Sequence, residues 1–329
     1  MHPDRGRDLD RAVAAVRAAA MAVARLGDPA SFAATAVVEK GGRGPATVAD
    51  LASQAVLVQA LRAAEGAEIA IIAEESAEDV DALGGGPMWE LVVDAVRDVD
   101  ARIGALDVRA LLTTVDSPSA VGRCWTIDPL DGTKGYLRGG QFAIALALLE
   151  DGRPVLGVLG LPRLGATGDG MGPGVLVAAA DGAGAMQAGL DGGAWTRVAC
   201  RPWSRGMPIR IAGSVERAHS TTDSIEASLA ALGSVSAVRV DSQAKYGLVA
   251  RGDADLYVRS SPDRSYRECI WDHAAGWLVA REAGCTVTDL RGAPLTFCHG
   301  RRLERNEGVL CASPALHEAA LGNPGVRSR

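Results

Sequence analysis

With 329 residues, 48% of them hydrophobic and 22% charged, the chain can bury a large core and is not disordered. Its length fits about two domains, and its formal net charge of −6 argues against a nucleic-acid polymer as partner while leaving a small anionic substrate open. The longest apolar run, at 142 to 149, falls well short of the ~18 residues of a membrane span. Six cysteines, Cys124, Cys200, Cys269, Cys285, Cys298 and Cys311, are widely spaced without a CxxC, which suits reduced thiols and a cytoplasmic setting over a zinc site or a disulfide framework. The N-terminal stretch mixes Asp and Arg and does not read as a signal peptide.

Leu9, Val13, Val16, Ala20, Val23 and Leu26 follow helical spacing, with Asp8 as a cap and Gly27 as a stop. Residues 39 to 46, EKGGRGPA, have the composition of a mobile loop. Thr47 opens a second helix running to Ala64 and ending at Gly66, with Asp50 at capping-box spacing. A strand over 68 to 76 ends in Glu74 and Glu75, an arrangement more common as plain surface charge. A helix over 88 to 103 and a polar approach follow.

The stretch at 125 to 147, WTIDPLDGTKGYLRGGQFAIALA, organises the rest. A proline-bent loop aims the carboxylates of Asp128 and Asp131 and the Leu130 carbonyl at one point, which describes a hard-cation site. Gly132 permits close backbone approach, and Thr133 places a hydroxyl and backbone N–H groups where an anionic phosphate would sit. An acidic Gly-Pro turn is the plainer alternative. Two apolar runs around Asp151-Gly152 then signal a hairpin, and glycine turns at 165 to 174, 181 to 184 and 191 to 193 punctuate short strands without forming a GxGxxG or Walker loop. The segment at 200 to 208, CRPWSRGMP, divides an α+β half (1–205) from an α/β half (206–329). The second half alternates: strand 209–213, helix 222–232, strand 236–241, helix 243–251, strand 254–259, helix 272–283, strand 285–289.

The organising stretch resembles the metal signature W-x-[IL]-D-P-[IL]-D-G-T of the inositol monophosphatase superfamily. Its continuation, KGYLRGGQFA, is similar to the branch of 3'(2'),5'-bisphosphate nucleotidases, which remove the 3'-phosphate of 3'-phosphoadenosine 5'-phosphate. The likeness recurs at four further places over residues 47 to 297. TVADLASQ resembles T-V-A-D-x-x-x-Q, which implies that Asp50 works with Thr133 to orient the attacking water. AEES resembles G-E-E-S, implying a metal ligand at Glu74 with Glu75 behind it. DSQAKYGLVARGDADLYVR resembles the nucleotide-reading segment of the branch, implying substrate contacts at Ser242, Lys245 and Arg259, with His219 of AHS as another and Gly132 and Thr133 on the phosphate. WDHAAG resembles W-D-x-A-A-G and implies a ligand role for Asp272, which by position alone is an N-cap. The plainer alternatives for Lys245 and Arg259 are a solvated helix residue and a strand-end cation.

The resemblance implies a layered α/β/α/β/α sandwich of the inositol monophosphatase/fructose-1,6-bisphosphatase type, with the site between the halves. Glu74, Asp128, Leu130, Asp131 and Asp272 offer only oxygen, which suits Mg2+ over zinc. Two Mg2+ ions are implied; Gly-Gly-Arg-Gly at 41–44 replaces polar residues of the branch's K-x-D-x-S-P-V-T, so a third ion and lithium sensitivity stay open. Rival functions are an inositol phosphate or other sugar-phosphate phosphatase of the same superfamily, and a catalytically silent nucleotide- or metal-binding regulator.

Overall fold

Helix α1 (Pro3–Arg25) turns a stripe of Ala12, Val16, Ala19 and Val23 into the interior, all of them buried, at the spacing of one helical face. The computed structural model describes residues 3–27, 37–39, 45–82, 86–113, 120–215, 222–261, 263 and 265–326. α1 begins at Pro3, a residue suited to the first helical position, rather than after Asp8. Asp8 therefore lies inside the helix and is no cap; its buried carboxylate accepts from Arg123 at 3.0 Å.

Strands β1 (Val37–Glu39) and β2 (Pro45–Thr47) pair antiparallel, so the loop expected over 39 to 46 ends in a strand. Helix α2 (Val48–Glu65) starts at a complete capping box: the Thr47 N–H donates to Asp50 Oδ2 at 2.8 Å and the Asp50 N–H to Thr47 Oγ1 at 3.4 Å. β3 (Ala70–Ala73) is shorter than expected, and three helices follow: α3 (Ala77–Ala82), α4 (Pro87–Arg97) and α5 (Ala105–Thr113). The helix expected over 88 to 103 is α4, which stops at Arg97; α3 and α5, six and nine residues long, are too short to display a helical period.

β4 (Arg123–Asp131) leads through the short helix α6 (Thr133–Leu137) into β5 (Ala143–Glu150), β6 (Arg153–Leu161), β7 (Val175–Ala180), β8 (Gly184–Gly189) and β9 (Gly192–Val198). These form one sheet in the order β3-β4-β5-β6-β7-β8-β9, parallel at β3/β4 and antiparallel elsewhere. The β5–β6 turn has both Asp151 and Gly152 at positive φ, 49° and 72°, the twist a two-residue hairpin requires.

The second sheet is built from β10 (Ile209–Gly213), β11 (Val235–Arg239), β12 (Leu256–Arg259), β13 (Thr286–Thr288) and β14 (Val309–Ala312), with α7 (Thr222–Leu229), α8 (Ala244–Ala250), α9 (Ala274–Glu282) and α10 (Pro314–Leu321) on its faces. Its order is β11-β10-β12-β14-β13; β10 is parallel to both neighbours and β14 antiparallel to both of its own.

Three separate cores define five layers. Ile144, Leu146 and Leu148 of β5 pack against α1, α2, α4 and α5, while their alternating neighbours Ala143, Ala145 and Ala147 face α8 and α9. α8 and α9 also pack on Tyr257, Val287 and Cys311 of the second sheet. Ile209, Ile211, Leu256 and Leu310 cover its far face with Ile225 of α7 and Leu316 of α10. The result is the α/β/α/β/α sandwich expected from the sequence. Gly276 keeps the middle layer tight, since a Cβ there would sit 2.3 Å from the Tyr246 ring. Among the described residues no helix is long and apolar enough to cross a membrane.

Candidate active site

The DPLD segment is not a free loop but the bulged end of β4. Asp128 pairs with Ala145 and Asp131 with Ala143, so three steps along β4 oppose two along β5. In a regular strand residues three apart point to opposite faces; one extra residue brings both carboxylates to the same side. Asp128 is 1% exposed, and its Oδ1 accepts the Leu130 N–H at 3.2 Å. Burial pushes its carboxyl well above the usual range, and the charges of Glu74, Asp131 and Asp272 push it further.

Helix α2 ties this end together through the consecutive residues Ser53 and Gln54. Ser53 Oγ donates to Pro129 O at 2.6 Å, and Gln54 exchanges two bonds with the Glu75 backbone, at 2.9 and 3.1 Å. Parallel pairing of β3 and β4 continues into Glu74, whose N–H donates to Ile127 O at 3.1 Å. Glu74 is thereby set beside Asp128, and Glu75 is buried behind it. The two oxygens of buried Asp50 have different partners. Oδ2 takes the Thr47 N–H and hydroxyl, at 2.8 and 2.5 Å, while Oδ1 lies 3.2 Å from Thr133 Oγ1. The capping role and the pairing with Thr133 therefore coexist.

The turn that opens α8 meets this cluster in a left-handed conformation. Ser242 has φ +69°, which presents the following N–H, that of Gln243, to Asp131 Oδ2 at 2.5 Å. Gly132, at φ +89°, packs against it, and a Cβ there would lie 3.1 Å from Ser242 Cβ. Ser242 Oγ accepts the Ala244 N–H at 3.1 Å. Lys245 is buried, with Nζ 5.6 Å from the Tyr257 ring centroid and 3.4 Å from Val240 O. Burial pushes its ammonium down to about 8 against the pull of Asp131. Arg259, at the end of β12, reaches Glu268 Oε2 with Nε at 2.7 Å and lies 3.9 Å from Asp272 Oδ2. His219 lies outside the described residues.

Asp272 does not cap α9: the cap residue is His273, whose side chain makes no cap bond. Burial pushes the Asp272 carboxyl well above the usual range, although Arg259 pulls it down. Three residues that the sequence did not single out complete the surroundings. Gln243 donates to Trp271 O at 2.9 Å and accepts the Gly276 N–H at 3.1 Å. His273, fully buried, pairs through Nδ1 with the Tyr246 hydroxyl at 2.9 Å and through Nε2 with Glu268 at 3.4 Å. Glu268 opposes its own burial by pairing with Arg259 and His273, which holds its carboxyl down to about 2. Ligating atoms of Glu268, Asp272 and His273 lie within 4.8 Å of one another, but the cation already among them is the Arg259 guanidinium. The available cue for Glu268 was its place four residues before Asp272.

Glu74, Asp128, Asp131 and Asp272 thus act on one another electrostatically, and all offer oxygen only. Such a donor set, with burial and its acidic neighbours raising the Asp128 carboxyl, fits hard divalent cations that would offset the repulsion. The sequence profile of the inositol monophosphatase family matches residues 8–323. The chain belongs to the inositol monophosphatase family. Members of this family are generally metal-dependent phosphatases. A protein of Emericella nidulans named 3'(2'),5'-bisphosphate nucleotidase is 38% identical, over 88% of this chain and 90% of its own. One of the same name from Oryza sativa is 37% identical, over 87% and 85%. Solved family members share the fold: an IMPase of Thermotoga maritima at TM-score 0.66 and 19% identity over 97% and 96% of the two chains, and CysQ of Bacteroides thetaiotaomicron at 0.59 and 22% over 93% and 97%.

Proposed function

We propose that this chain is a Mg2+-dependent phosphatase that removes the 3'-phosphate of 3'-phosphoadenosine 5'-phosphate, and of its sulfated form, by attack of a water molecule. The observation that carries this reading is the placement of Lys245 and Arg259, both close enough to lower the Asp131 carboxyl against its burial. Two cations beside the acids suit a substrate with a second phosphate, one as a point charge and one as a fork. The relatives of 37–38% identity named bisphosphate nucleotidases support the same substrate class.

Glu74, Asp128, the Leu130 carbonyl, Asp131 and Asp272 would hold two Mg2+ ions. When bound, the pair supplies positive charge to the transferring phosphoryl group and to its attacking water. Asp50 Oδ1 accepts the Thr133 hydroxyl proton, which turns a Thr133 lone pair outward to accept a hydrogen bond from that water. Gly132 and Thr133 face the scissile phosphate; Ser242, Lys245, Arg259 and His219 read the nucleotide. The six cysteines are free thiols, in keeping with a cytoplasmic setting.

Phosphate release from a panel of both nucleotides, inositol phosphates and fructose bisphosphate, with Mg2+, tests the reading. The bisphosphate nucleotides are expected to be fastest. Faster release from an inositol phosphate would put that substrate class in their place, and no release from any substrate would leave a silent binder.

A further inference from the structure

We propose that Glu268 is a positioning residue for substrate selection: it holds the Arg259 guanidinium toward the substrate's 5'-phosphate and away from the acid Asp272. This rests on the role given to Arg259 above. The Arg259 side chain is 38% exposed at a strand end, so β12 alone does not fix its fork. Glu268, 5% exposed, takes the Nε edge at 2.7 Å. It is itself fixed from the core, because the His273 ring donates from Nε2 to Glu268 while its Nδ1 accepts the Tyr246 hydroxyl. Tyr246 in turn is wedged edge-on to Tyr257, with centroids 4.9 Å apart, and against Gly276. A run of buried contacts thus leads from the middle helical layer to Arg259.

The alternative partner shows what this hold prevents. Arg259 Nη2 is 3.9 Å from Asp272 Oδ2, outside hydrogen-bond range but within reach of a small side-chain rotation. Without Glu268 the guanidinium would close on Asp272, engaging a metal-binding acid and withdrawing from the phosphate. Glu268 therefore keeps the guanidinium that reads the substrate from hydrogen-bonding an acid that serves the chemistry.

The test uses Glu268→Gln, Arg259→Ala and the double variant. It measures kcat/KM for a 3',5'-bisphosphate and its matched 3'-monophosphate, and the affinity for adenosine 5'-phosphate by calorimetry without added metal. Glu268→Gln is expected to lose at least about tenfold more on the bisphosphate than on the monophosphate, to weaken adenosine 5'-phosphate binding, and to change neither quantity further once Arg259 is Ala. Equal losses on the two substrates, or a loss that adds to that of Arg259→Ala, would overturn the inference and leave Glu268 as a core ion-pair partner only. A wild type without preference for the bisphosphate would instead defeat the nucleotidase reading; a preference that survives Glu268→Gln defeats this inference alone. If Glu268→Gln does not fold, Glu268→Asp, which keeps the charge but withdraws it by one methylene, carries the same expectations.

Discussion

The backbone N–H of Gln243 donates to Asp131 Oδ2 at 2.5 Å, joining the turn that opens α8 to the bulged end of β4. The Gln243 side chain then bridges Trp271 O and the Gly276 N–H, on either side of Asp272. Gln243→Ala keeps the first contact and strips the other two, leaving buried polar groups that each cost about 1–3 kcal/mol if unpaired. Urea unfolding should show a lower midpoint at unchanged slope. An unchanged midpoint would mean that water takes over both bonds.

Asp50 has a structural oxygen and one directed at Thr133, and substitutions can separate them. Thr133→Val should lower kcat by about 10²–10⁴, the range for a lost proton-handling group, with little change in Tm. Thr133→Ser, which keeps the hydroxyl, should restore most of the rate. Asp50→Asn should lose both kcat and about 1 kcat-independent kcal/mol of stability, the typical worth of a helix cap. Equal Tm losses in Thr133→Val and Asp50→Asn would show that the pair is structural.

Asp128 and Asp272 are pushed above the usual carboxylate range by burial and by each other's neighbours. Between their unfolded and folded pKa values the folded state binds more protons, so metal-free stability should fall as pH rises through that window. Mg2+ at 100 times its Kd should return about 2.7 kcal/mol, and its effect on Tm should be larger at pH 8 than at pH 5. Asp128→Asn should raise the metal-free Tm at pH 8, remove much of the Mg2+ effect and abolish turnover. Thermal scans with and without Mg2+ at both pH values decide this; a Mg2+ effect that shrinks toward pH 8 would contradict it.

What the sequence disclosed was local. The capping box at Thr47 and Asp50, the Asp151-Gly152 turn and the DPLDGT stretch each place their cue and its consequence within a few residues. Asp8 was misread because its partner, Arg123, lies 115 residues away, and no periodicity reports a distant ion pair. DPLD was read as a loop because proline and acids resemble a turn, whereas pairing with β5 keeps it in the sheet. Glu268 carries no motif of its own; only the fold brings Arg259 and His273 around it. β14 and α10 follow a long irregular stretch and left no strong pattern.

The final prediction concerns Lys245, whose burial lowers its ammonium to about 8. Its charged form is the one below that pH, so the attraction for a 5'-phosphate should weaken as pH rises through about 8. In the same sense, stability should rise with pH from about 8 to the ordinary lysine value of about 10.4, because the unfolded chain there binds the extra proton. Activity alone would confuse this with ionisation of the attacking water, which affects every substrate. The ratio of kcat/KM for a 3',5'-bisphosphate to that for the matched 3'-monophosphate removes the shared contribution, and kcat/KM reports groups of the free enzyme. That ratio should be flat at low pH and fall above about 8, by about ten- to a hundredfold in the limit of a lost charged hydrogen bond. Lys245→Arg, charged throughout, should hold the ratio level from about pH 6 to about pH 9.5. Lys245→Ala should show a low, level ratio. A wild-type ratio that does not change with pH, or one that falls equally in Lys245→Arg, would remove Lys245 from 5'-phosphate recognition and leave its burial beside Asp131 as a matter of charge balance alone.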